Sequence, residues 1–159
     1  MIHVLDTCVL KWAYIPGKYH GRCRQIIGRL RGQVYIAEIS VLEIVSALGS
    51  EFRGRRISLK QYKLADERFI EDIAASRIIV RPFPPSEYLP CRHLLAYVGI
   101  DAGRNLRSQD GIIAYTARQL AIDVKTRVTL LTADQKLANV IKDLDIFSQL
   151  VKAEYLPPS

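Results

Sequence analysis

Four acidic residues, Asp6, Glu43, Asp110 and Asp134, lie inside or at the ends of the most apolar stretches of the chain. Their contexts are Val4-Leu5-Asp6-Thr7, Val41-Leu42-Glu43-Ile44-Val45, Gln109-Asp110-Gly111-Ile112-Ile113-Ala114 and Leu130-Leu131-Thr132-Ala133-Asp134. Such stretches belong in a core, where an isolated carboxylate is costly unless it is paired, protonated or bound to a cation. No Lys or Arg adjoins any of the four in sequence. A fold that gathers them around a hard divalent cation, which prefers carboxylate oxygens and water, meets all four demands at once.

The apolar runs Ile2–Leu5, Gln33–Ala37, Ile78–Pro82 and Val128–Leu131 predict short buried strands. Phe147–Tyr155 predicts a final edge strand. Between them, helices are expected over Thr7–Tyr14, Gly21–Leu30, Ser40–Phe52, Ser58–Ala75, Ser86–Gly99, Gln109–Ile122 and Ala133–Lys142. Ser40 and Ser58 are read as N-caps, with Glu43 completing a capping box. Leu64, Ile70 and Ile73 are read as the buried positions of the Ser58 helix, and residues 50–76 as either a protruding hairpin or a helix packed on the sheet. Strands that alternate with helices, written as apolar runs rather than alternating patterns, predict a three-layer α/β/α sandwich with a mostly parallel central sheet. Its 159 residues are expected to form one domain, 1–159.

In an open parallel sheet, ligands bind beyond the carboxyl ends of the strands. Asp6 ends the first strand and Asp134 follows the strand ending at Leu131, so both are expected at one edge. Asp110 shares a helical face with Ile113, Ala114 and Ala117, the face that must meet the sheet. Thr132 and Thr7 are placed to orient neighbouring carboxylates. Each acid alone has a plainer reading, as a cap or as a carboxylate in a helix's first turn. The four together favour a site. Glu67, Glu71, Asp72, Asp143 and Asp145 sit in mixed polar stretches and read as solvated.

The chain carries 23 Lys and Arg against 16 Asp and Glu, a net charge of +7. A basic surface around an acidic pocket suits a polyanion such as nucleic acid. No apolar run approaches the ~18–20 residues that span a bilayer, so no membrane association and a cytoplasmic location are expected. Cys8, Cys23 and Cys91, odd in number and without C-x-x-C spacing, read as reduced residues in or near the core.

With these motifs in order, the chain resembles the PIN-domain family, most closely the VapC-type toxin ribonucleases. Leu5-Asp6-Thr7 matches the opening strand and its aspartate. Glu43 in Val41-Leu42-Glu43-Ile44 matches the second acid, Asp110-Gly111-Ile112-Ile113-Ala114 the third, and Thr132-Ala133-Asp134 the family's Thr-x-Asp. Gly111 departs from the commoner alanine-like residue. The resemblance implies a PIN-like fold and Mg2+- or Mn2+-dependent hydrolysis of RNA phosphodiesters. Asp6, Asp110 and Asp134 are the implied metal ligands, Glu43 a ligand or general base, and Thr132 a supporting residue. It also implies an antitoxin partner and a homodimer.

Arg53, Arg55, Arg56, Arg104 and Arg107 are the candidates for holding an RNA backbone. Trp12 and Tyr14 read first as core or interface aromatics, with base stacking the alternative. His3, His20 and His93 have no metal spacing, and His3 reads as a satisfied core or interface residue. A haloacid-dehalogenase-like phosphatase would need an aspartate at position 8, where this chain has Cys8. Two other readings stay open: a PIN-like RNA-processing nuclease with no toxin role, and a catalytically idle RNA-binding module.

Overall fold

The computed structural model describes residues 1–29 and 33–158. Five strands form one parallel sheet: β1 (His3–Leu5), β2 (Val34–Ala37), β3 (Ile79–Arg81), β4 (Val128–Thr132) and β5 (Val151–Tyr155), in the order β3-β2-β1-β4-β5. The crossovers β1-to-β2 and β2-to-β3 carry helices α1 (Thr7–Trp12), α2 (His20–Arg29), α3 (Glu38–Arg53) and α4 (Leu59–Ala74). The return crossovers carry α5 (Tyr88–Ala96), α6 (Ser108–Asp123), α7 (Gln135–Asp143) and α8 (Asp145–Ser148). A π-helical turn, Tyr97–Asp101, extends α5.

The expected three-layer arrangement is present because each central strand is apolar on both faces. Leu5 and Leu131 face a core completed by Val9, Leu10, Ile44, Leu48 and Phe69. Their neighbours Val4 and Leu130 face the other core, with Ile113, Ala117, Leu137 and Phe147. The order reverses between β1 and β4. Helix α1 leaves that point toward one face and α7 toward the other, which opens a crevice at the strands' carboxyl ends. Among the described residues, no helix is long and apolar enough to cross a membrane.

Several local expectations are corrected. Helix α3 starts at Glu38 with Ala37 as its N-cap, so Ser40 is not a cap and Glu43 is not part of a capping box. The capping box belongs to α4, where Ser58 and Gln61 exchange both bonds. Along α4 the buried side is Ala65, Phe69 and Asp72, while Leu64 and Ile70 are exposed. Helix α6 is enclosed rather than two-faced, with every residue from Ile113 to Ala117 buried. Leu30, the expected end of α2, lies outside the described residues.

Asp72 is buried rather than solvated, at 1% exposure. It accepts from Tyr14 Oη at 2.8 Å and from Arg77 Nε at 2.5 Å, and pairs with Arg24. These bonds hold its carboxyl below the usual carboxylate range against the opposing effect of burial. They also tie α1, α2 and α4 together where β3 begins. Tyr14 is therefore a core residue. His3 is buried, but its Nδ1 has no hydrogen-bond partner among the described residues, so the satisfied core position, one of the two expected, is not met.

Candidate active site

The register pairs Leu5 with Leu131, which sets Asp6 beside Thr132 at the reversal point. Asp6 is 3% exposed and Thr132 fully buried. Thr132 Oγ1 donates to Asp6 Oδ2 at 2.6 Å, and the same oxygen accepts from Asp134 N–H at 2.9 Å. One hydroxyl thus fixes the carboxylate of one strand end and the turn that carries the next acid. Asp134 caps α7, its Oδ1 accepting from the Lys136 and Leu137 amides at 2.7 and 3.0 Å.

Glu43 reaches the crevice from the other side. Thr7 Oγ1 donates to Glu43 Oε2 at 2.6 Å and lies 3.1 Å from Ser40 Oγ. Thr7 was expected to orient Asp6; it orients Glu43 instead, because its side chain faces α3. Buried Ser40 packs beneath this pair, a role hidden in the sequence by its resemblance to a cap. Asp110 sits in the first turn of α6, with Arg107 at the N-cap.

Asp6, Thr7, Glu43, Arg107 and Asp110 line one cleft of about 410 Å3. Asp110 and Arg107 also line an adjoining cleft of about 220 Å3 with Asp134, Gln135 and Lys136. All four acids therefore border two adjoining clefts that share Arg107 and Asp110. Among the described residues, no three His, Cys, Asp or Glu side chains are gathered tightly enough to hold a metal ion in this conformation.

The electrostatics record the crowding. Burial, aided by the Asp110 charge, raises the Asp6 carboxyl to about 6, although the Thr132 bond and the nearby Thr7 and Cys8 amides pull it down. Asp110 is also raised, by burial and then by the charges of Asp134 and Glu43, with Arg107 opposing. Among the described residues, Asp6 Oδ1, Glu43 Oε1, Asp134 Oδ2 and both Asp110 oxygens take no side-chain hydrogen bond. An all-oxygen donor set in which the acids raise one another fits a hard divalent cation.

The family model for the PIN domain matches residues 3–143. The chain belongs to the PIN-domain family. No curated protein matches this PIN domain in sequence. Among solved structures, FitAcB from Neisseria gonorrhoeae is similar over 98% of both chains, at 20% identity and a TM-score of 0.64. VapBC2 from Rickettsia felis, bound to a DNA fragment from its promoter, is similar over 96% of this chain and 98% of that one, at 18% identity and a TM-score of 0.59. PAE2754 from Pyrobaculum aerophilum matches 88% of this chain and 79% of that one, at 18% identity and a TM-score of 0.59. At these identities the likeness establishes the fold.

The PIN domain's basic residues divide into two groups. Arg107 lines the acidic cleft. Arg104 is exposed and paired with Asp143 at 2.8 Å. Arg53, Arg55 and Arg56 lie at the far end of α3, where Arg56 pairs with Glu51. Glu43 and Arg53 are ten residues apart, roughly 15 Å along the helix axis. Two residues of the cleft were not anticipated. Exposed Cys8 lines it, contrary to the expected position in or near the core. Lys136, two residues beyond Asp134, supplies a second cation at the rim.

Proposed function

We propose that the chain is a divalent-metal-dependent endoribonuclease and the toxin of a toxin–antitoxin pair. The observation that carries this reading is the gathering of Asp6, Glu43, Asp110 and Asp134 around two adjoining clefts at the strand-order reversal. Asp6, Asp110 and Asp134 are the residues that would hold Mg2+ or Mn2+. Such an ion, when bound, makes a water more acidic and stabilises charge on the attacking and leaving oxygens of a phosphodiester.

The chain's own residues do the rest. Thr132 holds Asp6 in one orientation, and the Lys136 and Leu137 amides hold Asp134. Thr7 fixes Glu43 by one oxygen and leaves the other to take a proton from the attacking water as general base. Arg107 and Lys136 flank the acids and attract the RNA phosphates that the acids alone would repel.

An apolar groove of about 490 Å3, lined by Ile39, Leu42, Val80, Phe83, Tyr88 and Ile112, adjoins the acidic cleft through Ile39 and Leu42. This supports an antitoxin that buries apolar side chains in the groove and sets a basic group among the acids. The similarity to VapBC2 and FitAcB supports the same partner, and a homodimer is the expected assembly. Induced expression in bacteria tests the reading. Wild-type protein should arrest growth and fragment RNA, Asp6→Asn should do neither, and co-expressed antitoxin should restore growth. Healthy growth and intact RNA under wild-type expression would refute the toxin assignment.

A further inference from the structure

We propose that the seam between α1 and α3 is a track for single-stranded RNA, ending in a second cleft where a base stacks beside Trp12. This rests on the ribonuclease reading. The two helices start together at the acids and run side by side in the same direction. Thr7 bonds to Glu43 near one end, and Lys11 Nζ bonds to Glu51 at 2.7 Å near the other. From Glu43 to Glu51 the helix rises ~12 Å, the length of about three to four stacked nucleotides at ~3.4 Å each.

Between these two bridges the seam carries small side chains: Cys8 and Ser46 are exposed, as is Ser50, and Ala47 and Gly49 are half-buried. The Arg53 guanidinium folds back over it, its Nη1 3.2 Å from where a Cβ on Gly49 would stand. At its end lies a cleft of about 280 Å3 lined by Trp12, Lys18, Tyr19, Glu51 and Arg56. The Trp12 and Tyr19 rings stack at 4.8 Å, with Lys18 Nζ 4.9 Å from the Tyr19 ring centre. Glu51 is shared by Lys11 and Arg56, so the cleft keeps a positive balance. Stacked aromatics beside Lys18, where Lys11 and Arg56 outnumber Glu51, suit a nucleotide base with its phosphate.

Trp12 is the chain's single tryptophan, so its fluorescence reports on this cleft alone. Asp110→Asn protein, silenced for cleavage but folded, is titrated with single-stranded RNA oligomers of two to ten nucleotides. Saturable quenching is expected for the longer oligomers and not for dinucleotides or heparin. Adding Lys18→Glu and Arg53→Glu, both surface changes, should weaken binding at least tenfold and flatten the salt dependence by a slope of ~1.4, for two phosphates lost.

Unquenched Trp12, with equal RNA affinity in the charge-reversed protein, would overturn the track. So would a shift from dimer to monomer with unchanged RNA affinity, which would make the cleft a contact between copies. Quenching in a protein whose wild type cuts no RNA would retain the track and refute the nuclease.

Discussion

Thr132 Oγ1 and Asp6 Oδ2 lie 2.6 Å apart, although 126 residues separate them in sequence. The contact joins the ends of the two strands at which the sheet reverses its order. Removing the hydroxyl with Thr132→Val removes a bond that favours the ionised Asp6, so that carboxyl should move above about 6. The acid limb of the pH–rate profile should shift to higher pH, with activity down roughly 10–100-fold, the usual effect of losing a group that orients a metal ligand. An unchanged profile would show that Thr132 serves only the Asp134 turn.

Stability should fall as pH rises through the window between 3.8 and about 6 in metal-free protein. Within it the folded chain binds the Asp6 proton more tightly than the unfolded chain does. The full penalty, about 2–3 kcal/mol, is therefore in place above it and absent below it. Thermal unfolding in EDTA from pH 4.5 to 7.5 should show this decline in wild type and a smaller one in Asp6→Asn. Mn2+ should restore more stability at pH 7.5 than at 4.5. Equal slopes in the two proteins would place the proton linkage elsewhere.

Asp72 makes a contrasting prediction. Its folded value is lowered, so the stability it contributes is present at neutral pH and is lost as pH falls through the folded value. Asp72→Ala leaves Arg24 and Arg77 without their carboxylate and should cost about 3–5 kcal/mol. Tyr14→Phe removes one bond and should cost about 1 kcal/mol. Urea unfolding checks both, and RNA cleavage by folded Tyr14→Phe should match wild type.

Gly111, in the first turn of α6, stands against Leu95. A Cβ at Gly111 would stand 2.2 Å from Leu95 Cδ2. Gly111→Ala should therefore destabilise wild type by about 1–2 kcal/mol, overpacking outweighing the gain in helix propensity. In a Leu95→Ala background the same change should stabilise. Additive effects would show that Leu95 turns aside without cost.

The acids were legible because each broke an apolar pattern that the fold had to explain. The carboxyl ends of β1 and β4 were legible for the same reason, since Val4-Leu5 and Leu130-Leu131 are apolar on both faces, whereas Phe147, expected in the final strand, lies in α8 and β5 starts at Val151. The partners of the acids were not. Ser40 and Glu43 have capping-box spacing, yet Ala37 carries the helix start, and only packing against α1 reveals that both serve Thr7. Asp72 looked solvated because its cations, Arg24 and Arg77, come from other segments. On α4, Phe69 rather than Ile70 is buried and packs edge-on against Tyr14 at 5.7 Å, a contact that local periodicity does not encode.

Cleavage of a mixed RNA pool by purified, antitoxin-free protein tests the central claim most directly. Reactions contain Mg2+ or Mn2+, with EDTA and Asp110→Asn as controls. Cutting that requires the ion and disappears in the folded Asp110→Asn protein is the predicted result. Full activity in Asp110→Asn, or undiminished cutting in EDTA, would contradict the assignment of these four acids as the reactive centre.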